Sequence, residues 1–572
     1  MAVPCIEATR ARSGDECERF LSLESRVFSL LSPIPVFVDF VMHLDLQPGD
    51  QEQLDLSGIT AEEIQRQFQL LVNPPASPVL DRACMLNDGI LPLPDSEACA
   101  RYRVRAEAER PVGRFSLFVP ASGAASRMFL CLQAALDHAD GSSRDVCVKR
   151  AAGGDKNAQE ALKFFEGLHD MAIVKSLKND LEAHGEELDA LLEAGDYEPV
   201  LESLLSTDRL NSAALPKGLL DFHIYRSGAR KAFEEQLVES ASYVRDGEGK
   251  CRLHFTVSPE HQRRFETFFS RVRSIHEESL GVRFEVSVST QKSSTDTVAV
   301  DMEDRPFRSG DGSLLLRPGG HGALLANLDD YARGDGDIVF VKNIDNVVPK
   351  WLQPETLEWK TVLVGVLLEL QDEIFRHLEA LESVAGDTST TAERLRVAEA
   401  FVRVEFPEVL ADLPESVEER RLALIGRLDR PLRVCGVVRN QGEPGGGPFW
   451  VRDGGGCVTR QIVEAAQVDV SRKDQARILQ EATHFNPVDF VCALRDRRGK
   501  PYDLRRHVDE NAVFIAQKSS HGRELKALER PGLWNGGMAG WNTVFVEVPE
   551  VTFNPVKTVN DLLRPEHRRR EE

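Results

Sequence analysis

The chain has 572 residues, of which 42% are hydrophobic, and a formal net charge of -22 at pH 7. The length allows two or three domains or one large domain with insertions, and the apolar content is typical of a globular protein. The acidic balance argues against nucleic-acid binding, which needs a basic face, and no apolar run is long enough to span a bilayer.

The ten cysteines are scattered, and no two of them form a C-x-x-C pair. Zinc, iron–sulfur and thioredoxin-like sites therefore have little support. Several cysteines stand in apolar runs, which is typical of reduced core residues in the cytosol. The first residues lack the basic and apolar regions of a signal peptide, so we expect a cytoplasmic protein.

Three stretches differ in pattern along the chain. We expect a poorly ordered extension, an N-terminal helical segment and a core: residues 1–50, 51–110 and 111–572. Within the helical segment, Ile64, Phe68 and Leu71 recur at helical spacing and predict a helix over 58–72.

The core begins with a strand, a loop and a helix. Residues 115–119 form a short apolar run that predicts a strand, and the small residues of 120–126 predict a loop. Met128, Leu132 and Ala135 then recur with the spacing of one buried helix face.

Further apolar runs alternate with helical stretches. Strands are predicted at 253–257, 284–288 and 337–341, and helical insertions at about 155–210 and 355–425. Strands that alternate with helices indicate an α/β fold with a mostly parallel central sheet flanked by helices. The final stretch of the chain, with short strands and glycine-rich loops, predicts a smaller mixed C-terminal part.

The loop at 119–127 has the features of a phosphate site. It lies between a strand and a helix, so its backbone N–H groups would meet the positive end of the helix dipole. Ser122, Gly123 and Ala124 are small enough for a phosphate group to approach the backbone closely, and Arg127 has a planar, charged guanidinium group. The loop lacks the Gly-Lys-Ser/Thr ending of a P-loop and the further glycines of a dinucleotide fingerprint. A glycine-containing turn with a surface arginine would have the same pattern.

Four later features suit the handling of phosphate. Lys217 stands in a short turn after the first helical insertion, and residues 316–322 form a second glycine-rich loop. Asp345 follows a predicted strand, where a carboxylate can hold Mg²⁺ against phosphate oxygens; a turn cap is the alternative. Lys557 stands in an Asn-Pro turn near the end of the chain, where it could equally be a surface lysine.

The order of these features resembles that of the sugar-1-phosphate nucleotidyltransferases, whose glycine-rich loop is followed by Pro-Lys and a metal-binding Asp. The UDP-N-acetylhexosamine pyrophosphorylases are the most similar subgroup, through Gln291, the Pro-Gly-Gly-His-Gly run at 318–322, the segment 461–465 and the turn at 553–557. From about residue 55 the chain is also similar to an uncharacterised bacterial family of unknown function. Members of that family carry the run Val-Pro-Ala-Ser-Gly-Ala-Ala-Ser-Arg-Met, which is found here at 119–128.

The resemblance implies a role for each matching residue. Those expected at the phosphates are Ser122, Gly123, Ala124, Arg127, Lys217 and Lys557, the last three as candidate catalytic residues. Those expected to bind the rest of the nucleotide and the sugar are Gln291, Gly319, Gly320, Glu464 and Asn486. His321 would stack on a ring or contact phosphate, and Asp345 would hold Mg²⁺.

The implied function is that of an enzyme with the nucleotide-diphospho-sugar transferase fold. It would use Mg²⁺ to join a nucleoside triphosphate, UTP in particular, to a sugar-1-phosphate, with release of pyrophosphate. Two other functions stay open: a non-catalytic protein of the same fold that binds a sugar nucleotide, and a glycosyltransferase with a related sheet. The loop at 119–127 has one glycine where the family has several, which favours binding without turnover.

Overall fold

A computed structural model describes residues 44, 46–384, 388–442, 445–520 and 522–568. From residue 46 onward these residues belong to one unit. Of the extension predicted at 1–50, residues 1–43 and 45 lie outside the described set.

The strands of the described residues are β1 (Val79–Ala83), β2 (Met85–Leu86), β3 (Gly89–Leu91), β4 (Phe115–Pro120), β5 (Asp221–Tyr225), β6 (Gly228–Lys231), β7 (Lys250–Val257), β8 (Arg283–Thr290), β9 (Thr297–Val300), β10 (Leu316–Arg317), β11 (Ile338–Lys342), β12 (Leu432–Arg439), β13 (Gly446–Arg452), β14 (Val458–Glu464), β15 (His484–Phe485), β16 (Asp489–Ala493), β17 (Phe514–Ser520), β18 (Arg523–Glu529) and β19 (Asn542–Glu547).

The α-helices of the described residues are α1 (Pro48–Ser57), α2 (Ala61–Val72), α3 (Ser96–Glu109), α4 (Leu130–Leu136), α5 (Arg144–Ala152), α6 (Lys156–Gly167), α7 (Val174–Ala183), α8 (Leu188–Ala194), α9 (Glu198–Leu205), α10 (Ala232–Ser240), α11 (Gln262–Leu280), α12 (Leu325–Arg333), α13 (Gln353–Glu382), α14 (Thr388–Glu405), α15 (Val417–Leu428) and α16 (Lys473–Gln480).

The central sheet has the strand order β2-β3-β19-β12-β16-β11-β4-β7-β8, with β15 paired to β12. Only β16 is antiparallel to its neighbours along this order, so β11 and β12 on its two sides run the same way. The carboxyl ends of the parallel strands therefore lie at one edge of the sheet. The predicted α/β class, with a mostly parallel sheet flanked by helices, is confirmed.

Strand β4 shows how the sequence builds the two faces of this sheet. Phe115, Leu117 and Val119 belong to one buried cluster, which includes residues of α13. Phe118 points to the other cluster, which includes residues of α12. Apolar residues at consecutive positions are what a strand covered on both faces requires.

The helices follow the predicted apolar spacing where that spacing is strong. Helix α2 is capped by the Thr60 side chain and buries Ile64, Phe68 and Leu71, as predicted for 58–72. The 155–210 region is helical, and α13 buries the apolar run at 362–368. Within the described residues no helix combines the length and apolarity needed to cross a bilayer.

The segment 51–110, predicted as helical, contains α2, α3 and most of α1 together with the short strands β1, β2 and β3. Strand β3 joins the central sheet beside β19, and β1 pairs with β13. These strands are short and lack a regular alternation, so distant partners rather than local pattern determine them. All the described cysteines are free, and all except Cys457 are buried.

Candidate functional site

The carboxyl edge of the sheet brings together the loops that follow β4 and β11. The two strands pair in parallel, with Val341 opposite Phe118. The loop of residues 121–124 and the loop of residues 343–346 therefore leave the sheet side by side. In open parallel sheets, ligands bind outside this edge.

The loop predicted to bind phosphate is open to solvent. Ser122 is half-buried, whereas Gly123, Ala124 and Arg127 are exposed. The loop leads into a 3-10 turn, Ala125–Phe129, and the predicted α-helix begins only at Leu130. No described protein atom lies within 4 Å of the position that a Cβ would take at Gly123.

Backbone contacts attach this loop to the turn that carries Lys217. Ala124 forms an isolated β-bridge with Pro216, and the Ala125 N–H donates to the Leu215 carbonyl at 2.9 Å. A Cβ at Gly218 would lie 2.9 Å from the Phe265 ring, so glycine is needed for the turn to pack this closely. The Pro-Lys-Gly sequence thereby fixes Lys217 beside the loop of residues 121–124.

Lys217 and Lys557 both bind the carboxylate of Asp345. The Lys217 ammonium donates to Asp345 Oδ2 at 2.8 Å and to the Val556 carbonyl at 3.0 Å. The Lys557 ammonium donates to Oδ1 and Oδ2 of Asp345 at 3.2 and 3.0 Å. Three residues far apart in the chain thus form one cluster, which we call the lysine–aspartate cluster.

The members of this cluster differ in exposure. The side chains of Asp345 and Lys217 are 8% and 14% exposed, whereas that of Lys557 is 54% exposed. Burial alone would raise the pKa of the Asp345 carboxyl, but Lys557 and Lys217 outweigh it and hold the pKa below its usual value. Asp345 is therefore a buried carboxylate, and Lys557 can reach solvent.

The turn that carries Lys557 is held against the loop after β11. The Val556 N–H donates to the Asp345 carbonyl at 3.0 Å, and the Asn554 N–H donates to Asn346 Oδ1 at 3.0 Å. The Asp561 carboxylate accepts from the Lys557 N–H at 2.8 Å and caps the turn that follows. The Asn-Pro turn thus places its lysine at the sheet edge.

A second group of predicted residues surrounds His321. The His321 ring stacks on Trp534 with centroids 4.1 Å apart, and its Nδ1 accepts from the Leu533 N–H at 3.1 Å. Because Nδ1 accepts, the ring proton lies on Nε2, which is 3.5 Å from Glu464 Oε1. This hydrogen bond, together with one from Asn535 at 3.1 Å, lowers the pKa of Glu464 despite its burial.

Local backbone geometry explains the glycines before His321. Gly320 has φ +74°, a left-handed conformation that favours glycine. A Cβ at Gly319 would lie 2.6 Å from the Thr295 carbonyl, in the loop that also contains Gln291. The Gln291 amide is 3.5 Å from Asp296 Oδ1. Gln291 and Gly319 therefore border the same loop.

Asn486 and Glu464 are both neighbours of Gly446, the first residue of strand β13. The Asn486 N–H donates to the Gly446 carbonyl at 2.9 Å, and Gly446 is opposite Glu464 in the β13–β14 pair. Next to Asn486, the Phe485 ring lies 5.4 Å from that of Phe553, centroid to centroid. The Asn486 turn therefore contacts the loop that leads to Lys557.

The predicted residues thus fall into two groups. The first comprises Ser122, Gly123, Ala124, Arg127, Lys217, Asp345 and Lys557, and the second comprises Gln291, Gly319, Gly320, His321, Glu464 and Asn486. Arg127 lies near the first group in sequence but makes no ion pair or side-chain hydrogen bond within the part of the chain described here.

Sequence reasoning missed three residues in these groups. Trp534 and Asn535 contact His321 and Glu464, and Asn346 lies beside Asp345 with a buried amide nitrogen that no described residue accepts from. The glycine-rich run at 533–541 was a visible signal. Its pattern did not indicate which distant residue the Trp534 ring would meet.

No group of three or more His, Cys, Asp or Glu side chains among the described residues could hold a metal ion alone. Asp345 offers a single carboxylate, and both its oxygens accept from lysines. Magnesium needs only one or two carboxylates where substrate phosphates supply further ligands. Asp345 fits that limited role.

Residues 47–568 match the model of a family described as a domain of unknown function, DUF4301. No curated protein matches the chain. Similar solved structures include the UDP-N-acetylglucosamine pyrophosphorylase of Trypanosoma brucei, with 12% identity, a TM-score of 0.45, and coverage of 91% of this chain and 79% of that chain. The UDP-glucose pyrophosphorylase of Leishmania major has 11% identity, a TM-score of 0.40 and coverage of 91% and 79%. These values leave the function of the chain to be argued from its own side chains.

Proposed function

The chain belongs to the DUF4301 family of unknown function, and we propose that within it this protein is a Mg²⁺-dependent nucleotidyltransferase. Its substrates would be a nucleoside triphosphate, UTP in particular, and a sugar-1-phosphate. The observation that carries the proposal is the lysine–aspartate cluster, Lys217, Asp345 and Lys557, beside the exposed loop of residues 121–127.

The reaction suits a site made of cations and backbone N–H groups. An oxygen of the sugar-1-phosphate attacks the α-phosphorus of the triphosphate, the new O–P bond forms, and the bond to pyrophosphate breaks. Both reactants are anionic, so the protein must chiefly screen charge and hold the reacting atoms in line.

The two lysines differ in exposure and in their hydrogen bonds, and they would have different roles in the reaction. Lys217 is mostly buried and is also bonded to the Val556 carbonyl, so it would stay at one phosphate position. Lys557 is half-exposed and could turn from Asp345 to an incoming phosphate. Arg127 is exposed and lacks a described carboxylate partner, so its fork is available to phosphate oxygens.

Asp345 would hold Mg²⁺ together with phosphate oxygens, and the ion would supply further screening of phosphate charge. As Lys557 turns to the phosphates, the carboxylate would lose that partner and keep Lys217. Lys557 and Lys217 hold the pKa of Asp345 low, so the carboxylate is ionised before the exchange.

The second group of residues would bind the remainder of the nucleotide sugar. Glu464 and Asn486 would accept and donate hydrogen bonds to sugar hydroxyls, and their link to the Lys557 loop through Phe485 and Phe553 keeps sugar and phosphate ends close. Gln291 and the glycines at 319–320 would face the base.

A non-catalytic sugar-nucleotide-binding protein is the second candidate. One observation favours it: both oxygens of Asp345 are bonded to lysines, which oppose the approach of a cation. The same residues would then bind phosphate without turnover.

The test is pyrophosphate release from purified protein with Mg²⁺, each nucleoside triphosphate and a panel of sugar-1-phosphates. We expect release with UTP, its loss on chelation of Mg²⁺, and a drop of about 10²- to 10³-fold in Lys217→Ala and Asp345→Asn. Lys473→Ala, an exposed lysine at the start of α16, is the matched control and should keep full activity.

The other outcomes separate the alternatives. If no combination releases pyrophosphate while UTP or a UDP-sugar raises the melting temperature, the protein binds without turnover. Release of a nucleoside diphosphate from a UDP-sugar would indicate a glycosyltransferase. Full activity in both Lys217→Ala and Asp345→Asn would show that the lysine–aspartate cluster is not the reaction centre.

A further inference from the structure

A cavity of about 300 Å³ lies outside both groups of candidate residues. It is bounded by the end of α15, the turn near residue 409, strand β14 and the start of β19. None of the residues assigned above to phosphate, base or sugar lines it. We call it the arginine cavity, after Arg427 and Arg430.

Arg427 and Arg430, two of the three arginines that line this cavity, have no carboxylate partner among the described residues. One nitrogen of Arg427 donates to the carbonyls of Val409, at 2.7 Å, and Ala411. Arg430 donates only to the Gly426 carbonyl, at 3.2 Å. Their neighbour Arg460, by contrast, is paired with Glu408 at 3.0 Å.

The environment of Arg430 is unfavourable for its charge as it stands. Burial and the like charge of Arg427 both lower the pKa of Arg430, and no acidic group offsets them. Three carboxylates also line the cavity, those of Glu408, Asp412 and Asp453. Glu408 is paired with Arg460, and within the described residues none of the three is hydrogen-bonded to Arg427 or Arg430. An oxyanion between Arg427 and Arg430 would relieve the repulsion and accept several hydrogen bonds.

An aromatic residue, Trp541, also lines the cavity. Trp541 is 5% exposed, and its indole N–H has no hydrogen-bond partner in the described residues. Asp412 and Asp453 also line the cavity and would accept from hydroxyl groups.

We propose that the arginine cavity binds a small metabolite with an oxyanion at one end and hydroxyl groups at the other. The oxyanion, a phosphate ester or a carboxylate, lies between Arg427 and Arg430. The volume is at the lower limit for ligand cavities, so the ligand is small.

Glycerol 3-phosphate, glycerate and glycerol form a matched set of probes for the full chain. Calorimetry and tryptophan fluorescence would measure binding of each. We expect one or both anions to bind, and glycerol not to bind. The anion that binds more tightly shows whether the cavity prefers a phosphate or a carboxylate. A fluorescence change is expected because Trp541 lines the cavity.

Variants distinguish this cavity from the lysine–aspartate cluster. Arg430→Met should weaken anion binding by about tenfold or more, and Trp541→Phe should remove the fluorescence change. Arg506→Met, at a side chain that is 82% exposed, should bind as the wild type does. Lys557→Ala should keep the anion binding that Arg430→Met loses. Arg430→Met should also melt no lower than the wild type, because it removes a like charge near Arg427.

The proposal fails if neither anion binds at millimolar concentration, or if Arg430→Met binds as tightly as the wild type. It also fails if Lys557→Ala loses all anion binding, because the lysine–aspartate cluster would then be the only site. Should Arg430→Met not fold, Arg430→Lys keeps the charge without the planar fork and should still bind several-fold more weakly.

Discussion

Asp345 is the residue on which both distant lysines converge. Its contacts with Lys217 and Lys557 span 128 and 212 residues of sequence. The sequence indicated each residue from its own turn or strand end, and their order along the chain resembled that of a known family. It could not indicate that the two ammonium groups share one carboxylate, because that depends on how β11 pairs and where the C-terminal turn packs.

Replacement of Asp345 by Asn should make stability less dependent on acid. Because the folded pKa is below the ordinary value of 3.8, the contribution of Asp345 is present above that pH and is lost as the pH falls through the folded pKa. At about pH 7 we expect Asp345→Asn to lower stability by about 2–4 kcal/mol, since two lysines lose their partner.

Urea unfolding at about pH 7 and about pH 3 would measure the difference in the free energy of unfolding between the wild type and Asp345→Asn. The difference should shrink at the lower pH. An equal difference at both pH values would mean that the lysines do not lower the pKa of the Asp345 carboxyl in the folded protein.

Among the elements, strands β4, β7, β8 and β11 were predictable because their apolar runs are bounded by turn residues. Strand β3 was not, since it has only three residues and is extended through pairing with β2 and with the distant β19. The predicted start of the helix after the loop at 119–127 was also wrong. Met128 fits helical spacing, but the backbone there forms a 3-10 turn whose Ala125 N–H donates across to Leu215.

The contact of α13 with α3 gives an element-scale prediction. A Cβ at Gly365 would lie 2.3 Å from the Tyr102 carbonyl oxygen, which belongs to the backbone of α3. Gly365→Ala should therefore force the helices apart and lower the free energy of unfolding by about 1–3 kcal/mol.

The matched control is Gly426→Ala in α15, where no atom lies within 4 Å of the new Cβ. Helix propensity should raise stability there by about 0.5–1 kcal/mol. Thermal melting of the two variants would show opposite shifts. A neutral or stabilising effect of Gly365→Ala would mean that the two helices do not pack as closely as described.

At the scale of the whole molecule, the end of the described chain is tied to the interior by a buried histidine pair. His567 lies 2.8 Å from His223, whose other ring nitrogen is 2.9 Å from Glu235. Burial, His223 and Arg564 lower the pKa of His567 to about 3. The neutral ring therefore helps to hold the C-terminal segment that follows Lys557.

This histidine should make the protein sensitive to mild acid. A folded pKa below the ordinary 6.5 means that stability is full above pH 6.5 and falls as the pH decreases towards about 3. In His567→Gln the melting temperature should depend less steeply on pH over this range. Exposed His169→Gln should keep the wild-type slope, and equal slopes in all three proteins would contradict the assignment.

Strand β19 lies between β3 and β12, and this position has a consequence for synthesis of the protein. Strand β3 leaves the ribosome several hundred residues before β19, so at ordinary translation rates it waits on the order of tens of seconds for its partner. During that time its edge, and later that of β12, can pair with strands of other nascent chains. The growing polypeptide therefore exposes these unpaired strand edges until residues 542–547 have emerged.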